Sequence, residues 1–268
     1  MIEMILAFFI ATCTGLVAAV IGLGGGFLYV PTLTLIFGLD QKMAVGTSLA
    51  ITVFAACVAT IRYRGQKKLL ILAAIVMSIP GMVFSVLGSV LTAYVDSRIL
   101  ALFFVLVLLV IALQMFRPTL PVVRKIDSGP AFVVSVEGEN GIDQPVRIPY
   151  AHLILWGAMG GLISGMTGIS GGVLFVPALV VLGVPVHFAV ATSLLTIIPP
   201  SITGAATHAA LGHISLPLLT LYGAGAGIGA YAGASIAPRI HADHIRKFFG
   251  ILLIGIALLM IQTKVLGG

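Results

Sequence analysis

Residues 22–31 of this chain read GLGGGFLYVP, and residues 168–177 read GISGGVLFVP. Aligned without a gap, the two stretches share six of their ten residues. The agreement resumes downstream, where AVGTSL at 44–49 matches AVATSL at 189–194 after one deletion in the second stretch. Because the matching segments keep their order over most of the sequence, we interpret the chain as an internal duplication.

The composition is that of an integral membrane protein. Of the 268 residues, 60% are hydrophobic and 8% are charged, whereas about 25% of the residues of a soluble domain are charged. Several uncharged runs reach about twenty residues, the length that a helix needs to cross roughly 30 Å of hydrocarbon. The net charge of +6 does not indicate a nucleic-acid partner, because the 14 Lys and Arg lie mainly in short loops between apolar runs.

The apolar runs occur in the same order in the two copies. They cover 2–21, 27–38, 43–61, 69–95 and 99–116, then 151–167, 173–184, 188–207, 215–237 and 245–263. The second run of each set, about twelve residues at ~1.5 Å each, is too short to span a bilayer alone. It either crosses as a half-helix or re-enters. We predict an all-α polytopic membrane protein with N-terminal (1–116) and C-terminal (150–268) transmembrane repeats, each of about five segments with one short and broken.

The loop charges favour five crossings per repeat and an inverted arrangement. With four crossings the Lys and Arg divide nine against five between the two faces, whereas with five they divide eleven against three. Positive loops stay cytoplasmic, and an odd number of crossings relates the repeats by an axis in the membrane plane. The cytoplasmic set is Arg62, Arg64, Lys67, Lys68, Arg117, Arg124, Lys125, Arg147, Arg239, Arg246 and Lys247; the other face keeps Lys42, Arg98 and Lys264.

Residues 117–149 form the only long polar stretch, which we place as a linker in the cytoplasm. Within it, AFVVSV at 131–136 followed by EGENG at 137–141 indicates a strand that enters a turn. A small hairpin outside the membrane and a disordered linker are both compatible with this pattern.

The two glycine clusters predict breaks in membrane helices that bind an anion. Backbone at membrane depth stays unwound only where it lines a cavity or is buried in protein. When the helix restarts, its first N–H groups lack intrahelical partners, and the positive end of its dipole attracts an anion. The alternative is that the glycines only let helices pack closely. The predicted binding residues are Gly22, Gly24, Gly25 and Gly26 in the first copy and Gly168, Ser170, Gly171 and Gly172 in the second.

Paired hydroxyls and a proline accompany each cluster. Thr47 with Ser48, and Thr192 with Ser193, stand early in the helix that follows each short run, where they could donate to an oxyanion. The alternative is that they bond back to their own helices. Pro31 and Pro177 lie one turn inside the short runs, where we expect them to kink the helix.

No acid or base lies in the middle of a predicted span, which argues against a cation carrier or a carboxylate proton relay. His208 lies at the end of a predicted helix. It is either a substrate or proton site or a histidine at the membrane interface. Cys13 and Cys57 lie in apolar runs without metal spacing, so we expect no disulfide, metal or cofactor.

GISGG matches the G-x-S-x-G motif, and Ser170 with His208 could form a nucleophile pair. Since Gly24 takes the place of this serine in the first copy, the duplication explains the motif, and we expect no catalytic residue.

The duplicated motifs resemble the TauE/SafE sulfite exporter family. The resemblance rests on GxGGGxxxVPxL at 22–33, its copy at 168–179 with serine as the third residue, the two AVxTSL segments, and His208 with Gly212. It implies a multi-pass secondary transporter in the inner membrane for sulfite, sulfoacetate or another organosulfonate, coupled to protons. The family's glycines, prolines and hydroxyls fall on the residues named above. The linker is longer than the family leads us to expect.

We therefore expect a small anion to bind between the two breaks and to be exposed alternately to the two sides of the bilayer. An anion channel would share this site. A non-transporting membrane assembly factor, whose glycine-rich helices only pack, would lack it. The sequence leaves the direction of transport and the oligomeric state open.

Overall fold

The computed structural model describes residues 2–116, 130–137, 143–237 and 242–266. Within them lie ten α-helices and one pair of strands. The helices of the first copy are α1 Ile2–Ile21, α2 Gly26–Leu35, α3 Gln41–Arg64, α4 Ile71–Tyr94 and α5 Ser97–Phe116. Those of the second copy are α6 Tyr150–Thr167, α7 Gly172–Val181, α8 Val186–Ala210, α9 Leu216–Ile236 and α10 Ala242–Met260, which continues as a π-helix over Ile261–Leu266.

The predominantly helical architecture predicted from the sequence is confirmed. By length and composition, three of the described helices, α3, α4 and α8, could each cross a membrane. One side of α4 exposes Ile71, Ile75, Ile79, Val83 and Leu87, spaced four residues apart. A row of large apolar side chains of this kind suits contact with lipid rather than water.

The strands β1 Ala131–Glu137 and β2 Asp143–Pro149 pair antiparallel, with Ala131 opposite Pro149 and Glu137 opposite Asp143. Val136 and Ile148 of this hairpin are buried. Strand β2 leads directly into α6. The rest of the predicted linker, including Arg117, Arg124 and Lys125, and the predicted loop residue Arg239 lie outside the described residues.

Helices of the two copies pack on each other in a reciprocal pattern. The first helix of each copy packs on the fourth helix of the other, so that α1 lies on α9 and α6 lies on α4. The third helices, α3 and α8, contact each other as well as α9 and α4 respectively. Glycines permit the close approach: a Cβ on Gly233 would overlap the carbonyl oxygen of Leu16, and a Cβ on Gly165 would overlap that of Ser85.

The two short helices begin at matching positions and have the same length. Both α2 and α7 contain ten residues and start at the last glycine of their cluster. Pro31 and Pro177 each lie at the sixth helical residue, where the missing N–H removes one intrahelical hydrogen bond. The longer helix α3 starts differently, because a carboxylate oxygen of Asp40 accepts from the N–H of Lys42 at 3.1 Å.

Candidate functional site

Each short helix is preceded by a break that glycines make possible. The first break comprises residues 22–25, between α1 and α2, and the second comprises residues 168–171, between α6 and α7. Gly22, Gly24 and Gly168 have φ angles of 77°, 66° and 71°, in the left-handed region that glycine adopts without steric cost. The two breaks differ at their third residue, because Ser170 in the second break does not share the positive φ of Gly24.

The two breaks are in direct contact. A Cβ on Gly26 would overlap the carbonyl oxygen of Gly168, and a Cβ on Gly172 would lie 2.8 Å from the carbonyl oxygen of Gly22. The hydroxyl of Ser170 donates to the carbonyl of Leu23 at 2.7 Å. The fold thus brings together glycines that lie about half the chain apart in the sequence, and it leaves no room for side chains at Gly26 and Gly172.

The predicted serines connect each break to the other copy. Ser48 of α3 donates to the carbonyl of Gly168 at 3.0 Å, and Ser193 of α8 donates to the carbonyl of Gly22 at 2.9 Å. Both serines are fully buried. These bonds satisfy carbonyl groups that the helix breaks leave without an intrahelical donor.

The predicted threonines make a second reciprocal pair of contacts. The hydroxyl oxygen of Thr47 accepts from the N–H of Ser215, which caps the start of α9, at 3.0 Å. The hydroxyl oxygen of Thr192 accepts from the N–H of Leu70, which caps the start of α4, also at 3.0 Å. In this structure all four predicted hydroxyls therefore bond to backbone of the opposite copy, and they position the breaks and the helix starts.

A cavity lies beside the first break. It is small in this structure, with a volume of about 10 Å³, which is room for about one water molecule. Its wall carries no charged side chain and consists of Gly15, Ala18, Ala19, Gly24, Gly25, Thr52, Ala55, Ala56, Ala59, Leu194 and Ala230. Gly24 and Gly25 are thus the predicted site residues that line it. The predicted residues of the second break lie elsewhere, where a Cβ on Gly171 would come within 2.6 Å of the Phe175 ring.

One unpaired donor lies on the cavity wall, and others belong to residues next to Gly25, which lines the cavity. The N–H groups of Gly26 and Phe27 have no intrahelical acceptor, and no hydrogen bond within the described part of the chain uses them. The Thr52 hydroxyl, on the cavity wall, is fully buried and has no partner among the described residues. The same is true of the Tyr29 hydroxyl, whose ring lies against Gly25. Buried hydroxyls without partners are uncommon, so we take the cavity and these hydroxyls as the candidate site.

Comparisons with known proteins identify the family of the chain. A family model described as "Sulfite exporter TauE/SafE" matches residues 7–260. The chain belongs to this family. It is 27% identical over 259 residues to "Probable membrane transporter protein YunE" of Bacillus subtilis, with 90% of each chain covered. It is 29% identical over 254 residues to "Probable membrane transporter protein MJ0441" of Methanocaldococcus jannaschii, covering 89% of this chain and 88% of that one.

Membership in the TauE/SafE family confirms the resemblance seen in the sequence and makes the chain a membrane transporter rather than an enzyme. The contacts of the hydrolase candidates are consistent with this. The Ser170 hydroxyl donates to Leu23, whereas the recorded contacts of the His208 ring are with Gly165 and His213. Among the described residues, no group of three or more His, Cys, Asp or Glu could hold a metal ion.

His208 lies near the second break and not at the cavity. Its Nε2 lies 3.0 Å from the carbonyl oxygen of Gly165, and since a carbonyl only accepts, this nitrogen carries a hydrogen. Its Nδ1 faces Nδ1 of His213 at 3.4 Å, so in the neutral pair His213 donates. Burial and the charge of Lys42 lower the pKa of His213, and Asp40 opposes them.

Sequence reasoning missed two of the unpaired hydroxyls. Thr52 lies four residues after Ser48, and thus on the same face of α3, which was a usable signal. Tyr29 aligns with Phe175 in the second copy, so a comparison of the copies would have marked its additional hydroxyl.

Proposed function

We propose that the chain is a secondary transporter that moves a small sulfur-containing anion across the inner membrane by alternating access. The observation that carries this proposal is the cavity beside the first break, because Gly24, Gly25 and the unpaired Thr52 hydroxyl all line it. The description of the family names sulfite and supports it as the substrate; we extend the proposal to sulfoacetate and other organosulfonates.

The donors at the cavity suit an anion. Amide N–H groups at the start of α2 and the positive end of its dipole favour negative charge. The hydroxyls of Thr52 and Tyr29 can donate to oxygens of a sulfite or sulfonate group. Alanine walls keep the local dielectric low, which strengthens hydrogen bonds to a charged ligand. The proposed roles of Ser48 and Ser193 are to hold the breaks in place.

The packing supports two inverted repeats. The first helix of each copy packs on the fourth helix of the other, and the serine bonds are reciprocal, as expected for a pseudo-twofold axis. At one end of the bundle, Ser97 donates to Asp40 at 3.2 Å. At the other end, Arg62 donates to Ser235 at 2.8 Å. The loop charges predict a multi-pass protein in which Arg62, the end of α9 and the linker lie on the same, cytoplasmic side. The contact of Arg62 with Ser235 supports this prediction.

We propose that the pair of His208 and His213 carries a coupled proton. Their facing Nδ1 atoms can take up one additional proton, and His208 is fully buried beside the second break. His208 thus takes part in coupling proton movement to anion transport, whereas the anion binds at the first break.

A ligand-stabilisation measurement tests the binding site. Purified protein is heated with sulfite, sulfate, thiosulfate, sulfoacetate or a carboxylate, because a ligand of the folded state raises the apparent stability. Thr52→Val keeps the shape and removes the hydroxyl, so it should weaken binding by about 1.5–3 kcal/mol, or roughly 10- to 100-fold in Kd. The matched control is Thr92→Val, since the Thr92 hydroxyl is fully buried but donates to Ser89.

Three outcomes separate the alternatives. If Thr52→Val binds the anion as tightly as the control does, the cavity is not the binding site. Single-channel currents from purified protein in a bilayer would instead indicate an anion channel. If no anion stabilises the protein and no flux occurs in liposomes, the chain acts as a membrane assembly factor.

A further inference from the structure

The residues that line the cavity have counterparts in the opposite copy with a different chemical character. The duplication relates the cavity helices α1, α3 and α9 to α6, α8 and α4. Three alanines of the cavity wall correspond to serines in the opposite copy. Ala18 corresponds to Ser164, Ala56 to Ser201, and Ala230 to Ser85. At these three positions the residue that lines the cavity therefore has a methyl group and its counterpart has a hydroxyl.

Two of these serines have buried hydroxyls that no protein group satisfies. Ser164 and Ser201 are both 0% exposed, and neither hydroxyl has a partner among the described residues. Other hydroxyls in α8 bond back to their own helix, as Thr196 does to the carbonyl of Thr192 at 2.8 Å. Since an unsatisfied buried hydroxyl destabilises the fold, these two positions need a ligand or another state that uses them.

The serine side is closed in this structure. Ser85 of α4 donates to the carbonyl of Pro200 in α8 at 2.8 Å. A Cβ on Gly204 of α8 would lie 2.6 Å from the Ser85 hydroxyl, so the two helices are tightly packed here. The corresponding helices around the cavity, α9 and α3, leave space between Ala230 and Ala59. The structure thus has a cavity on the alanine side and tight packing around Ser85 on the serine side.

We propose that Ser164 and Ser201 form a second binding position for a small oxyanion, which opens when α4, α6 and α8 separate. This inference rests on the proposed transport function and adds the other half of the path. The anion would move from the break beside the alanine wall to hydroxyl donors on the serine wall. Two neutral donors can bind an oxyanion without a buried cation.

Cysteine accessibility tests whether this side opens. Cys13 and Cys57 are first replaced by alanine in the full chain, which is then placed in liposomes. Ala18→Cys and its counterpart Ser164→Cys are each treated with a membrane-impermeant thiol reagent, separately from the two faces. We expect Ala18→Cys to react from one face and Ser164→Cys from the opposite face. Labelling of both from the same face, or of Ser164→Cys from neither, would overturn the proposal.

A second pair keeps the test valid if one variant fails to fold. Ala56→Cys and Ser201→Cys occupy the corresponding positions on α3 and α8 and should give the same opposed pattern. Labelling does not require that sulfite or a sulfonate be the substrate. A wild type without anion flux would therefore contradict the proposed function, whereas the labelling pattern decides separately whether the serine side opens.

Flux tests the binding role of the hydroxyls. Ser164→Ala with Ser201→Ala should lower sulfoacetate flux about tenfold or more, because two donors to a charged group are lost. The same variant should still be stabilised by sulfoacetate through the cavity at the first break. Wild-type flux in the double variant would overturn the second site. The matched control is Ser235→Ala, whose hydroxyl bonds to its own helix and to Arg62, and we expect it to keep wild-type flux.

Discussion

Replacing Gly26 with alanine should separate the two breaks. Gly26 does not have a positive φ, so alanine fits the backbone conformation at this position. The obstacle is steric, because the new Cβ would overlap the carbonyl oxygen of Gly168. A backbone carbonyl cannot rotate away as the end of a flexible side chain can. The same carbonyl accepts the hydrogen bond from Ser48 at 3.0 Å, so any movement that relieves the overlap also strains this bond.

The magnitude follows from these contacts. Overpacking of a tight interior costs ~1–3 kcal/mol, and the loss of the Ser48 bond costs about 1 kcal/mol. A glycine-to-alanine change returns up to ~1 kcal/mol by restricting the unfolded chain. We therefore expect a loss of about 1–4 kcal/mol in the free energy of unfolding, or a fall of roughly 2–16 °C in Tm for a chain of this size.

Thermal unfolding in detergent, followed by the fluorescence of Trp156, the only tryptophan, measures this change. The matched control is Gly255→Ala in α10, where a Cβ would meet no atom within 4 Å. We expect the control to unfold at or above the wild-type temperature, because alanine favours helix over glycine. If Gly26→Ala unfolds together with the control, the breaks are not in contact and the reasoning on the site is refuted.

Two further predictions concern the surroundings of the breaks. Thr192→Val leaves the N–H at the start of α4 unpaired, so chemical denaturation should show a loss of about 1–3 kcal/mol; an unchanged midpoint would contradict this bond. The pKa of His213 lies below 6.5, because burial and Lys42 outweigh Asp40. The unfolded chain then binds the proton first, so stability falls as the pH drops below about 6.5. His213→Asn removes this titrating group, so Tm should fall less between about pH 7.5 and 5.5 than it does in the wild type. In this variant His208 still faces position 213. An unchanged dependence of Tm on pH would contradict the lowered pKa of His213.

Much of the fold could be predicted from the sequence, because hydrophobic runs and glycines act locally. The predicted short runs began at about residues 27 and 173, and the helices begin at Gly26 and Gly172. The positive φ angles of Gly22 and Gly168 explain why the sequence repeats glycine at these positions. The first strand of the hairpin, Ala131–Glu137, also lies where the sequence predicts a strand that enters a turn.

The detailed site could not be predicted, because it depends on which faces of distant helices meet. Nothing local to Ser48 indicates that its hydroxyl reaches Gly168 in the other copy. Thr52 contributes to the cavity only because α3 packs against α9 with that face inward. How the two copies pair is a tertiary property, and a repeated sequence specifies the contacts only after the relative orientation of the copies is known.

The contact between the two breaks suggests how the alanine side and the serine side could open in turn. Closing the serine side uses the bond from Ser85 to Pro200, the bond from His208 to Gly165 and two longer contacts of Ser89 at 3.5 Å. At ~1 kcal/mol for each bond, opening that side costs a few kcal/mol, part of which closure of the alanine side would return. If the open state lies a few kcal/mol above the closed one, it would be populated at about 0.1–10%. An anion that binds the serine hydroxyls more tightly than the alanine wall could then shift the balance, since only a difference in affinity between two states moves a population.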